Sequence, residues 1–230
     1  MARELARRSL PSGRIARVVM SEAIDGDASD GAAIGGPEGS LAGCLITASS
    51  ATKLRQVHGA DVVVVDAPGA CKGSVADAAV TDVVGAHLVI QVADCVPVAL
   101  LGDCSVGVVH AGWRGLRAGV LERTVEALTT VDGTVSVSAV VGPHIGPCCY
   151  EFGEDGLIDL AAQFGPSVRS KTIDGGSALN LSAVVASVLE RAQVPVAFDG
   201  ACTSCDDRYW SFRATGTPRR QAMVAWLEEG

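Results

Sequence analysis

Along this chain the apolar positions fall into short, nearly unbroken runs separated by glycine and proline. Val62-Val63-Val64-Val65 is β-branched throughout and predicts a short buried strand. Leu88 to Ala93 predicts another, ending at Asp94-Cys95, and Val96 to Leu101 is a third apolar run of strand length. Val106 to Val109 predicts a strand ending at His110-Ala111-Gly112, and Val135 to Val141 one that runs into Gly142-Pro143. Between them the period changes. Apolar residues at 116, 120, 121, 125 and 128 predict a helix over 116–128, and Leu181 to Leu189 predicts a second, with Asn180 as its N-cap.

The rest is less regular. Tyr209 to Leu227 reads as one or two strands, and Ala67 to Ser74 as a loop carrying Pro68, Gly69 and Gly73. The first fifty residues are the least legible, with Gly26 to Gly43 reading as a Gly/Ala/Asp/Ser loop. Strands and helices mix without strict alternation, which favours an α+β fold over a doubly wound sheet. No linker divides the chain. Residues 1–50 are therefore read as a divergent N-terminal segment of one domain, and residues 51–230 as its main body.

Composition narrows the function. Of 230 residues 48% are apolar but only 4% aromatic, so the core must be built from Val, Ala, Leu and Ile. A formal charge of −8 argues against gripping nucleic acid phosphates. No apolar run approaches the length that spans a bilayer or serves as a signal peptide, so a cytoplasmic protein with no membrane partner is expected. Eight cysteines in a reducing compartment are ligands, nucleophiles or buried thiols rather than a disulfide framework.

Among the four histidines, His58 precedes a predicted strand and His110 ends one, as does Cys95. Two imidazoles and a thiolate would make a three-ligand zinc set with a fourth position left for water or substrate. Spacing alone does not select these three, and a buried cysteine with two hydrogen-bonded core histidines is an equal alternative at this point. Asp94 could orient a ligand or accept a proton. Arg114 and Arg213 are candidate anion contacts, against the common fate of surface ion pairs, and Trp113 is a candidate base-stacking ring. Cys148-Cys149 are adjacent and rarely suit one metal, so packing is the cautious account. Cys202-Thr203-Ser204-Cys205 is a lone C-x-x-C, weak evidence without a second pair.

Taken in order, several segments resemble the YfiH-like family, also called the laccase-domain or multicopper polyphenol oxidase family. They are Gln56-Val57-His58-Gly59-Ala60, Ala76-Asp77-Ala78-Ala79-Val80-Thr81, Val92-Ala93-Asp94-Cys95-Val96-Pro97 and Val109-His110-Ala111-Gly112-Trp113-Arg114-Gly115. Gly142 to Glu151 and Cys202 to Cys205 follow, so the likeness covers roughly Arg55 to Leu227. The resemblance implies a single-domain layered sandwich of mixed β-sheets with flanking helices. It also implies purine nucleoside phosphorylase activity with adenosine deaminase activity, and zinc on His58, Cys95 and His110. Two departures stand out: nothing in residues 1–50 matches the family's R-x-G-G-x-S loop, and Thr217-Pro218-Arg219-Arg220 replaces its usual T-G-R.

On this reading Cys95, His110 and Asp94 are the expected catalytic residues. Arg114, Arg213 and His144 would contact substrate or phosphate, with His144 or Asp94 a candidate proton shuttle. The expected partners are a nucleoside and inorganic phosphate. A laccase-type copper set needs more imidazoles than His87 and His144 could add, so zinc is preferred to copper, although one Cu2+ would suit the same three ligands. Two other classes stay open: a Cys95/His110 cysteine hydrolase or amidase acting on peptidoglycan precursors, and a nucleoside-binding protein impaired in turnover.

Overall fold

The computed structural model describes residues 2–30, 40–41, 44–45, 47, 49–133 and 136–230. Its strands are β1 (Arg3–Ser9), β2 (Ile15–Met20), β3 (Ser40–Leu41), β4 (Cys44–Leu45), β5 (Ala51–Lys53), β6 (Val62–Val64), β7 (Ala78–Thr81) and β8 (His87–Val92). They continue with β9 (Val96–Leu101), β10 (Val106–Ala111), β11 (Ser138–Val141), β12 (Arg169–Lys171), β13 (Ser177–Leu179), β14 (Val196–Phe198) and β15 (Gln221–Glu228). The helices are α1 (Trp113–Arg117), α2 (Val120–Asp132), α3 (Glu154–Phe164), α4 (Leu181–Arg191) and the single turn α5 (Phe212–Thr215).

Two mixed sheets carry the fold, a five-stranded one in the order β1-β2-β15-β8-β5 and a six-stranded one in the order β14-β11-β9-β10-β7-β6. In the first only β5 and β8 pair in parallel; in the second β11 pairs with β14, and β6 with β7, in parallel. Alternation along single strands shows how the layers stack. Val96, Val98 and Leu100 of β9 face the helices with Leu116, Leu121, Leu157 and Val184. Ala99 and Leu101 face the other way, onto Leu88 and Ile90 of β8 and Met223 and Ala225 of β15. The opposite face of the five-stranded sheet covers a third cluster around Val89, Val224 and Trp226. The result is helix on sheet on sheet, an α+β sandwich. Strands β9 and β10 are apolar throughout because both of their faces are covered, which is why they read as continuous runs.

Several elements differ from the sequence expectation. The helix foreseen over 116–128 is two helices, broken at Gly119, whose φ of 85° is left-handed. Strand β10 extends two residues further than foreseen and places His110 on its last turn of pleat. The C-terminal piece is one strand, β15, preceded by a helical turn rather than by a second strand. Helix α4 matches, and the Asn180 side chain accepts from the Ala183 amide at 3.1 Å, as an N-cap should. The N-terminal β1–β2 hairpin was not legible, yet β2 lies between β1 and β15, with Met20 opposite Met223. Residues 31–39 and 42–43 of the glycine-rich loop, and residue 135 of the foreseen strand, lie outside the described residues.

Candidate active site at the crossing between the two sheets

Strand β8 belongs to one sheet and β9 to the other, so Ala93-Asp94-Cys95 must carry the chain across. The crossing is tight, and Asp94 takes a φ of 92°. A residue with a side chain pays roughly 1–3 kcal/mol for such backbone, so neighbours must hold it there. They do. Thr203 Oγ1 donates to one oxygen of the Asp94 carboxylate at 2.8 Å and the Arg213 amide to the other at 2.7 Å. The Ile145 amide donates to the Asp94 carbonyl at 3.0 Å. Cys95 is thereby presented at the mouth of the crossing.

His110 arrives from the end of β10, and His58 from a loop whose backbone is left-handed at that residue, φ 60°. Asp77 holds both. Fully buried, it accepts from the amides of Val57 at 3.1 Å, His58 at 2.9 Å and Gly59 at 2.7 Å, and from His110 Nδ1 at 2.7 Å. Burial opposes its charge, but His110 and these amides outweigh that and hold the carboxyl below the usual range. With Nδ1 spent on Asp77, His110 has Nε2 left for the cluster.

The ligand atoms of His58, Cys95 and His110 lie within 4.8 Å of one another, with Cys95 Sγ 3.8 Å from His58 Nε2. Burial disfavours the Cys95 thiolate, but hydrogen bonds and charge from His110 and His58 bring its pKa down to about 6. Burial likewise disfavours a charged His110, and Asp77 and Cys95 together raise it to about 9. Two imidazoles and a thiolate whose proton leaves easily fit a borderline-soft divalent ion such as zinc, with one corner open. Gly112 is required here by space: a Cβ on it would meet His58 Cδ2 at 2.9 Å and Cys95 Sγ at 3.2 Å.

Around the cluster is a cavity of about 650 Å³, lined among others by Arg55, Arg114, Arg213 and Arg220. Four guanidiniums on one pocket of a chain with net charge −8 give it a positive field that favours anions. Rings line it too: the Arg213 guanidinium lies 4.8 Å from the centre of Tyr150, and that of Arg114 4.7 Å from Trp113. Burial, with the Cys95 and Asp94 charges, pushes the Tyr150 hydroxyl up to about 12, so it stays protonated and can donate.

His58, Cys95, His110, Asp94, Arg114 and Arg213 therefore all line one pocket. His144 does not. It is buried behind the crossing, with Nδ1 at 2.9 Å from the Gly142 carbonyl and Nε2 at 2.7 Å from Ser182 Oγ, so neither nitrogen faces the cavity. The expected contact of His144 with substrate is thus a structural bond instead. Asp77, Tyr150, Arg55 and Arg220 were not foreseen as site residues. A carboxylate inside the apolar stretch Val75 to Val80, and its place in the family-like segment Ala76 to Thr81, were the available signals for Asp77.

A family model described as multi-copper polyphenol oxidoreductase laccase matches residues 39–228. The chain belongs to that family. Among its relatives is a purine nucleoside phosphorylase of Xylella fastidiosa strain Temecula1, 42% identical over 190 residues, covering 76% of this chain and 71% of the relative. A purine nucleoside phosphorylase of Streptomyces coelicolor is 39% identical over 186 residues, covering 76% and 74%. Of solved structures, protein NMB0706 of Neisseria meningitidis superposes with a TM-score of 0.76 at 24% identity over 99% of each chain, which concerns the fold alone. The hypothetical protein YfiH of Bacillus licheniformis gives 0.70 at 26% identity, over 78% of this chain and 75% of that one. The copper in the family description does not fit the imidazole count. His144 is consumed as above, and His87 is buried 5.3 Å from the Trp226 ring on β15, so no further imidazoles stand near His58 and His110 to build a multinuclear cluster.

Proposed function

We propose that this chain is a zinc-dependent purine nucleoside phosphorylase whose reaction takes place in the arginine-lined pocket beside His58, Cys95 and His110. The observation that carries it is the coincidence of a three-ligand metal set and an anion site in one cavity, in a chain whose relatives are named for phosphorolysis of purine nucleosides. An oxygen of inorganic phosphate attacks C1′ of the ribose as the bond from C1′ to the purine nitrogen breaks. The bond electrons leave with the purine, which takes up a proton, giving free base and ribose 1-phosphate.

Arg114 and Arg213 bind and orient the phosphate, and Arg55 and Arg220 add to the positive field. Trp113, Tyr150 and Phe212 supply flat surfaces for the base. Asp94 is a positioning residue, because both of its carboxylate oxygens already hold Thr203 and the Arg213 backbone. Asp77 fixes the His110 tautomer and the His58 loop. When bound at His58, Cys95 and His110, zinc supplies Lewis-acid polarisation of a substrate group and lowers the pKa of water nearby. The same pocket suits adenosine deamination, in which a water oxygen replaces the purine amino group and ammonia leaves.

Purified protein incubated with inosine and phosphate should yield hypoxanthine and ribose 1-phosphate, and with adenosine should also yield inosine. Absence of any product from inosine or adenosine at high protein concentration, with zinc loaded, refutes the reading.

One observation favours a second enzyme class. Cys95 with a pKa of about 6, paired with His110, is an activated nucleophile in the metal-free state, as in a cysteine hydrolase or amidase. Metal separates the two: zinc should raise phosphorolysis but suppress a thiolate nucleophile, and alkylation of Cys95 should be blocked in the zinc-loaded protein.

A further inference from the structure

Four cysteines that the proposed reaction does not use come together on the far side of Asp94. Cys148 and Cys149 sit in the single 3-10 turn Pro147–Cys149, and Cys202 and Cys205 bracket a tight turn in which the amides of Cys205 and Asp206 both donate to the Cys202 carbonyl, at 3.1 and 3.0 Å. A β-bridge between His144 and Cys202 sets the two segments side by side. All four Sγ atoms lie within 4.8 Å of one another, with Cys149 to Cys205 at 3.2 Å and Cys148 to Cys205 at 3.7 Å. Neither pair is a disulfide, whose sulfurs stand about 2.05 Å apart. Four thiolates around one zinc, each at about 2.3 Å in a tetrahedron, stand about 3.8 Å apart, which is the scale observed.

We infer that Cys148, Cys149, Cys202 and Cys205 form a second metal site, a closed four-thiolate site for structural zinc. Adjacent cysteines usually point apart, and that is the reason the sequence argued against a shared metal. The 3-10 turn removes the objection by bringing both side chains to Cys205. Two further features suit thiolates. The Gly146 amide donates to Cys202 Sγ at 3.1 Å, a bond that favours charge on sulfur. A Cβ on Gly146 would lie 3.2 Å from Cys148 Sγ and 3.4 Å from Cys202 Sγ, so any larger residue there would press on the sulfurs. With four protein ligands no corner is open, which makes the site structural where the His58–Cys95–His110 set is open.

Its place explains what it would do. Cys149 precedes Tyr150 of the pocket, and Cys202 precedes Thr203, whose hydroxyl holds Asp94. A metal here ties both segments to each other and keeps the crossing in shape. Removing it should lower thermal stability and raise the KM for nucleoside more than it lowers kcat.

Reduced protein loaded with zinc and desalted should hold two zinc ions per chain. The double variant His58→Ala/Cys95→Ser should keep one, and Cys202→Ser should also keep one. Because Cys202→Ser could fail to fold, Cys205→Ser at the exposed edge serves as the second variant and should show the same loss. Cobalt in the His58→Ala/Cys95→Ser protein should give thiolate-to-metal charge-transfer absorption of four-sulfur intensity, which Cys205→Ser reduces. A wild-type content of one zinc with the double variant holding none overturns the proposal. So does copper in place of zinc in the protein as purified, or two thiols fewer than expected on alkylation of the unreduced protein after denaturation with a chelator, which would mark a disulfide.

Discussion

The two clusters of ligand-type side chains meet across Asp94 yet are built on opposite plans. His58, Cys95 and His110 converge from three distant points of the chain, are held from behind by one buried carboxylate, and face a cavity. Cys148, Cys149, Cys202 and Cys205 come from two short turns, are held by backbone amides, and face one another. The first arrangement leaves room for a substrate and spends rigidity on orientation. The second leaves no room and, with metal, spends its bonds on joining two segments. On the proposed reading, reaction chemistry belongs with the open set, and the closed set shapes the pocket around it.

The largest expected effect comes from removing the carboxylate behind the open set. Asp77→Ala strips the buried charge partner from His110 and takes the acceptor from the amides of Val57, His58 and Gly59, which should cost about 3–5 kcal/mol of stability. The gentler Asp77→Asn should fold but lose about 10- to 100-fold in zinc affinity, read by chelator competition. Equal zinc affinity in Asp77→Asn and wild type would break the contrast between the clusters.

Next is the anion site. Arg213→Ala and Arg114→Ala should each raise the KM for phosphate by roughly tenfold, the loss of a charge-assisted hydrogen bond, while the KM for inosine changes little. Steady-state kinetics with phosphate varied at fixed inosine decide it.

The effect of pH has opposite signs at two members of the open set. In the metal-free protein Cys95, lowered to about 6, adds stability that is present above its ordinary range and lost as pH falls through 6. His110, raised to about 9, adds stability present below its ordinary range and lost as pH rises through 9. Between these values the pair is thiolate and imidazolium, and zinc must displace the His110 proton. Zinc affinity at the open set should therefore rise about tenfold per pH unit between 6 and 9, and fall more steeply below 6. Competition titrations with the Cys205→Ser protein, at several pH values, give the slope.

His144→Gln should have the smallest effect on the reaction. It disturbs the bonds to Gly142 and Ser182 and should cost about 1–3 kcal/mol of stability by thermal melts, with the KM for phosphate unchanged. A rise in that KM would return His144 to the pocket.

What could be read along the chain was whatever burial writes into residue order. Strands β9 and β10 were legible because they lie between two layers, and β8 because both of its faces are buried. Helix α4 was legible from its period and its Asn180 cap. Strand β1 was not, since it is an edge strand of arginines with an exposed face, and Gly119 hid a break inside one apparent helix. The ends of β8 and β10 and the start of β6 pointed to Cys95, His110 and His58 as one candidate set among alternatives, and the family motifs favoured that set.

By itself, then, the sequence determined the class of fold, the core strands and the residue types available to a metal. Convergence was decided only in three dimensions. A left-handed crossing at Asp94 and a buried carboxylate at Asp77 turn separate histidines and a cysteine into one site. The same folding takes His144 out of the pocket, brings four arginines into it, and closes four cysteines on one another. Ligand geometry depends on distances between segments far apart in the chain, and no local pattern of apolar and polar residues carries that information.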